Sequence, residues 1–265
     1  MKSRFFLLCC CVLLCGGIFN VSAQEKEYDV FLLIGQSNMA GRGHMIDGDE
    51  DVIGKNVFIL DDNGEIVPAR NPLNQYSSIR KDMSMQRICP GYGFAKKLSK
   101  KTKRKILLVV NARGGTTMDQ WAKGSEEGYY EEAVRRTRQA MKYGTLKAIL
   151  WHQGCGDSRK SKVYMGKLSA FVSSMREDLN ADVPFIAGEL GQWRPIVNDF
   201  NAMIHTISAN IPNSDWVSSE GCIPIVTKRS NGEPDLKDPH FDRKSQILLG
   251  HRYADKVMKM CYGKK

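Results

Sequence analysis

Asp29-Val30-Phe31-Leu32-Leu33-Ile34-Gly35-Gln36-Ser37-Asn38-Met39-Ala40-Gly41-Arg42 is the stretch on which the reading of this 265-residue chain turns. The apolar run over 30–34 has the length and composition of a strand covered on both faces. Gly35 ends the run, and Ser37 follows two residues later, with Asn38 beside it and small residues at Ala40 and Gly41. A hydroxyl is thereby placed where a buried strand leaves the edge of its sheet, and in open α/β sheets ligands bind at that edge. Glycine permits a sharp turn, and the backbone N–H groups after Ser37 are free to face an anion. Spacing alone is met equally well by a strand followed by a polar turn.

Outward from this stretch, apolar runs alternate with helical patterns along the chain. Strands are expected over 30–34, 57–60, 106–110, 148–151, 185–187 and 216–218. Helices are expected over 93–98, 131–141, 161–178, 197–209 and 242–260. Asp61-Asp62-Asn63-Gly64 is a turn signal and predicts a small hairpin after the second strand. Alternation of this kind means parallel strands joined by helical crossovers. The expected fold is α/β, a three-layer α/β/α sandwich on a mostly parallel sheet.

Residues 1–23 read as a secretory signal peptide. Lys2 and Arg4 start it, 5–14 form its apolar centre, and Val21-Ser22-Ala23 is a small-residue cleavage site before Gln24. The apolar run is too short to span a membrane, and Leu14 argues against a lipoprotein anchor at Cys15. An exported protein, periplasmic or extracellular, is expected, with residues 24–265 forming one domain and no stable membrane insertion. Beyond the leader stand Cys89, Cys155, Cys222 and Cys261, which export permits to pair in any of three ways. Taking Lys2 and Arg4 from the 39 basic residues leaves 37 against 29 acidic ones. Much of that excess lies in Lys96-Lys97 and Lys100-Lys101-Thr102-Lys103-Arg104-Lys105. No aromatic residues interleave with it, so it reads as a solvated helix end and loop, not as a nucleic-acid site. No Cys-x-x-Cys or His-x-x-x-His spacing supports a metal, and no cofactor is expected. The oligomeric state is not legible.

Three further blocks adjoin expected strand ends or the last helix. Asn111-Ala112-Arg113-Gly114-Gly115-Thr116-Thr117, then Trp121, leaves the strand over 106–110, and paired glycines let a backbone N–H approach a substrate closely. Trp151-His152-Gln153-Gly154-Cys155-Gly156-Asp157 closes the strand over 148–151. Asp235-Leu236-Lys237-Asp238-Pro239-His240-Phe241-Asp242 precedes the last helix. Gly91-Tyr92-Gly93-Phe94-Ala95 opens a helix, where the glycines either let the chain pass close beneath a site or simply begin the helix.

The first three of these blocks, with Gly35-Gln36-Ser37-Asn38-Met39-Ala40-Gly41-Arg42, resemble the sialate O-acetylesterase/acetylxylan esterase group, carbohydrate esterase family 6 of the SGNH hydrolases. The family carries Ala-x-Gly-Gly-Ser/Thr followed by Trp, then Trp-His-Gln-Gly-Glu-x-Asp, and ends with Asp-x-x-His-Phe and Gly-x-Arg-Tyr-Ala. Here Tyr164, Arg176 and Gly250-His251-Arg252-Tyr253-Ala254 also fall in the family's places. The resemblance implies an SGNH-type, flavodoxin-like fold and the removal of acetyl groups from sugars, of sialic acid or xylan type. It makes Ser37 the nucleophile and His240 the base. It makes the N–H groups of Ser37 and of Gly114 or Gly115, with the Gln153 amide, the oxyanion donors. Gln36, Asn38 and Arg42 are implied substrate contacts, and Trp151 and His152 either line the sugar site or pack beneath it. Thr116 is a candidate cap for the next helix.

Two positions depart from the pattern. Cys155 stands where relatives carry glutamate, and the usual acid three residues before the base is Lys237. A serine hydroxyl needs an imidazole to take its proton, and that imidazole needs a carboxylate to fix its tautomer. In an extended segment residues i and i+2 share a face, and Pro239 favours such a conformation, so Asp238 is the expected acid. Asp235 is the reserve, while Asp157 is first read as the N-terminus of the next helix. The two lost carboxylates motivate the competing reading, a carbohydrate-binding protein on the same fold with weakened chemistry. The loops over 43–55, 75–90 and 192–195 match no family motif and are expected to decide which sugar is used.

Overall fold

The computed structural model describes residues 27–228 and 232–263; the expected leader over 1–23 and Cys15 lie outside them. In chain order the elements are β1 (Tyr28–Gly35), α1 (Ser37–Ala40), β2 (Val57–Leu60), β3 (Ile66–Pro68), α2 (Pro90–Thr102), β4 (Lys105–Ala112), α3 (Tyr129–Ala140), β5 (Gly144–His152), α4 (Ser161–Leu179), β6 (Phe185–Gly188), α5 (Asn198–Ile204), α6 (Ile207–Asn210), β7 (Ser214–Val217), β8 (Thr227–Lys228), β9 (Pro234–Asp235) and α7 (Arg243–Tyr262). Seven strands form one sheet in the order β3-β2-β4-β1-β5-β6-β7. Every pairing is parallel except β2–β3, the hairpin that the Asp61–Gly64 turn predicts.

β1 is the middle strand. It pairs with β4 from Tyr28↔Lys105 to Gly35↔Ala112 and with β5 from Tyr28↔Gly144 to Gly35↔His152. Strands added before β5 lie on one side of it and those from β5 onward on the other, so the sheet's switch point is at the end of β1. Val30, Leu32 and Ile34 face α3 to α6, Phe31 and Leu33 face α2 and α7, and all five are fully buried. Burial of each side chain contributes about 1.5–3 kcal/mol relative to exposure.

α2 and α7 pack directly on one another. A Cβ on Gly93 would lie 2.4 Å from the Ile247 carbonyl oxygen, and one on Gly250 would lie 2.1 Å from that of Pro90. The glycine at 93 thus serves a helix crossing, not a passage beneath the site. The expected helix over 197–209 is broken into α5 and α6: the Thr206 N–H bonds back to the Met203 carbonyl and its hydroxyl does the same at 2.8 Å. All four described cysteines are free thiols. Among the described residues no helix is long and apolar enough to cross a membrane, and no cluster of three His, Cys, Asp or Glu side chains is arranged to hold a metal.

Candidate active site

Ser37 is fixed from both sides by backbone that only glycine tolerates. Gly35 has φ +134°, and a Cβ there would stand 2.3 Å from the His152 carbonyl oxygen. Gln36 is extended and donates its N–H to that same carbonyl at 2.9 Å. Ser37 then opens the single turn of α1, which Gly41 closes at φ +98°. Gly114, at the exit of β4, lies against the serine: a Cβ there would be 3.3 Å from the Ser37 Cβ and 2.7 Å from Arg42 Nη2. The N–H groups of Ser37 and Gly114 donate to no backbone carbonyl among the described residues. Gly115 is exposed, and a Cβ there would stand 3.4 Å from Lys81 Nζ.

His240 Nε2 lies 2.8 Å from Ser37 Oγ, and its Nδ1 lies 2.7 Å from Asp238 Oδ1. With a carboxylate at Nδ1, that nitrogen carries the proton and Nε2 is free to accept the serine's. Asp238 Oδ1 also accepts the His240 N–H at 2.8 Å, which is how an acid only two residues away stays on the imidazole. Asp235 instead accepts the Lys237 N–H at 3.0 Å, and the Asp157 carboxylate accepts the Met118 N–H at 2.8 Å, so Asp157 serves the turn over 118–121 and not α4. Burial pushes the His240 imidazole below its ordinary value; Asp238 opposes this and the nearby Arg42 and Arg194 add to it.

Several expected contacts have other work. Gln153 is corrected as an oxyanion donor. Its amide N–H₂ is spent on the Thr116 carbonyl at 2.9 Å and Asp157 Oδ2 at 2.8 Å, while its Oε1 accepts from Tyr164 at 2.7 Å. Trp151 is corrected as a sugar contact: it is fully buried, donates to the Tyr164 hydroxyl at 3.0 Å and packs on Trp121 and Phe171. His152 is likewise buried, beside Tyr253 and Phe241, and burial brings its pKa down to about 4. Asn38 is a tether, not a substrate contact. It donates to the Pro239 carbonyl and accepts the Phe241 N–H, each at 3.1 Å, so it grips the base loop on both sides of His240. Gln36 is buried and accepts the Gly154 N–H at 3.2 Å. Arg42 alone of the expected substrate contacts keeps a guanidinium beside the serine, braced by the Met85 carbonyl at 2.9 Å. Thr117, not Thr116, caps the turn over 118–121 through a reciprocal bond with Gln120.

Sequence reasoning left the loop over 189–195 without residues of its own in the site. Trp193 donates its indole N–H to the Asp238 carbonyl at 3.0 Å, and Arg194 lies close enough to His240 and Cys155 to act on both. A tryptophan between Gly191 and Pro195 was the available signal, since an indole that packs against the protein usually finds a hydrogen-bond partner for its N–H. Cys155 is a neutral thiol, pushed up to about 11 by burial, so it supplies no charge in place of the missing carboxylate.

Residues 27–259 match the family model described as carbohydrate esterase, sialic acid-specific acetylesterase. The probable carbohydrate esterase At4g34215 of Arabidopsis thaliana is 30% identical over 172 residues, which cover 57% of this chain and 64% of that protein, just under two thirds of its length. The crystal structure of the Arabidopsis protein superposes with a TM-score of 0.73 at 23% identity, over 88% of this chain and 98% of that one. NanS superposes with a TM-score of 0.68 at 16% identity, over 91% and 99%. A carbohydrate acetylesterase from Xanthomonas citri gives 0.60 at 18% identity, over 89% of this chain and 57% of that one. These structures share the fold, and the matched model spans nearly all of the described chain: the protein belongs to the sialic acid-specific acetylesterase family of carbohydrate esterases.

Proposed function

We propose that the protein is a serine esterase that removes O-acetyl groups from carbohydrates through an acyl-enzyme. The observation that carries the reading is the unbroken chain from Ser37 Oγ to His240 Nε2 and from His240 Nδ1 to Asp238, at 2.8 and 2.7 Å. In this reading His240 takes the proton as Ser37 attacks the acetyl carbonyl, and the Ser37 and Gly114 N–H groups hold the resulting oxyanion. The tetrahedral species collapses when His240 returns the proton to the leaving sugar hydroxyl. Water, deprotonated by the same imidazole, then releases acetate from Ser37. Asp238 holds the imidazole in the productive tautomer throughout, so the loss of the acid at Lys237 does not call for a merely binding protein.

Arg42 and Arg194, both close to His240, favour an acidic sugar over a neutral one, which agrees with the family's name. Cleavage after Ala23 and export of residues 24–265 as a single esterase domain complete the proposal. The test is acetate release from an aryl acetate and from a panel of acetylated sialic acids and xylo-oligosaccharides. Ser37→Ala is expected to lower turnover on every active substrate by about 10⁴ or more with its folding transition unchanged. Residual activity within tenfold of the parent would contradict the assignment.

A further inference from the structure

The loop after β6 touches the proposed triad from outside. Glu189 is buried at the strand's end, and its carboxylate gathers the Ser219 N–H at 2.7 Å and the Gln192 side-chain amide at 2.8 Å. Beyond Gln192 the chain folds back, so that the Trp193 indole lies over Gly191, where a Cβ would stand 2.3 Å from the ring. In that pose the indole N–H donates to the Asp238 carbonyl at 3.0 Å, and the ring meets Phe241 edge-on with centroids 5.1 Å apart. Asp238 and Phe241 bracket His240, so one side chain braces both ends of the segment that carries the base.

That segment needs bracing because its acid stands so close in sequence. Asp238 Oδ1 is shared between the His240 N–H and Nδ1, at 2.8 and 2.7 Å, and a rotation of the 238 peptide would draw the carboxylate off the ring. Asn38 holds the carbonyl at 239 and the N–H at 241. Among the tethers on the triad segment, Trp193 is the one that takes the carbonyl of the acid itself. We propose that Trp193 is a positioning residue of the esterase reaction, its indole N–H fixing the Asp238 peptide so that the carboxylate stays on His240. The inference rests on the triad reading above. A tryptophan that merely filled space would need no N–H, and one that stacked on the sugar would act through substrate and not through Asp238.

Trp193→Phe keeps an aromatic ring against Phe241 and removes the donor. Turnover of an aryl acetate is expected to fall roughly 5- to 10-fold, the worth of about one hydrogen bond, with KM and the thermal midpoint close to the parent's. The downfield proton resonance of His240 Nδ1–H should shift or broaden. Added to Asp238→Asn, the same substitution should cost nothing further, because its effect passes through that carboxylate. Should Trp193→Phe fail to fold, benzothienylalanine at 193, which replaces the N–H by sulfur at nearly constant shape, carries the same expectations. Unchanged turnover with an unchanged resonance would overturn the inference, as would a loss confined to KM or one that multiplies with Asp238→Asn. A parent protein without Ser37-dependent hydrolysis would remove the triad reading and this inference together; an active, Asp238-dependent parent with a silent Trp193→Phe would remove this inference alone.

Discussion

Ser37 leaves the middle strand of the sheet between two glycines, while His240 stands on a loop whose place is set by side chains arriving from elsewhere. Around the serine the contacts are backbone to backbone, Gln36 N–H on the His152 carbonyl and Gly41 N–H on Ser37. Around the histidine only a short antiparallel stretch, with the Ile225 N–H on the His240 carbonyl, has that character. The remaining tethers come from Asn38, about 200 residues away in sequence, and from Trp193. Ser37 is therefore positioned by the fold's own ladder, and His240 is docked onto it. Damage to the backbone turn that carries Ser37 should appear first as lost stability, whereas damage to the acid or the tethers of His240 should lower turnover.

Substitutions on each side separate the two kinds of support. Gly35→Ala forces a Cβ into the His152 carbonyl at a positive φ and is expected to cost more than about 3 kcal/mol, read by chemical denaturation. A near-parental midpoint would show the serine's turn to be softer than described. Asp238→Asn should lower turnover by roughly 10²–10⁴ at unchanged stability, because an amide keeps the shape and can favour the wrong tautomer. Asp157→Asn and Asp235→Asn should leave the pH–rate profile intact; a crippled Asp235→Asn beside a silent Asp238→Asn would move the acid. Asn38→Ala should lower turnover about 10- to 100-fold and stability by about 1–3 kcal/mol, since it frees the Phe241 N–H and the Pro239 carbonyl at once.

The smallest effect concerns pH. His240 must be neutral to take the serine's proton, and burial with Arg42 and Arg194 beside it holds its pKa below 6.5. Activity should therefore rise with pH through a midpoint below 6.5 and then level off. Arg194→Gln removes one of the two cations that oppose the imidazolium, so the acid limb should move upward. A downward shift would place Arg194 away from the imidazole.

Strand runs, the hairpin at 61–64 and the glycines around Ser37 are local patterns, and β1, β2 and β4 lie where the apolar runs put them. The contact between Asp238 and His240 was reachable because Pro239 and a two-residue spacing are also local. What the sequence did not disclose depends on which partner wins a polar group. Gln153 has a free amide on paper, yet Thr116 and Asp157 take both its N–H bonds. Trp151 sits at a strand end with the look of a sugar platform, yet the pleat sends it into the core beside Trp121. His205, expected within one long helix, ends α5 with its ring on the Glu189 carboxylate and stacked on Trp216. Trp193 gives no periodic signal at all, and its role emerges only once the loop folds onto Asp238.

If the acetyl group passes through Ser37, the acyl-enzyme can be trapped. The parent enzyme would be mixed with an aryl acetate, acid-quenched within its first turnovers and mapped by peptide mass spectrometry, with Ser37→Ala and His240→Ala alongside. An acetyl adduct is expected on the peptide carrying Ser37, absent in Ser37→Ala and slow to form in His240→Ala. An adduct on another residue, or full hydrolysis by Ser37→Ala, would contradict it.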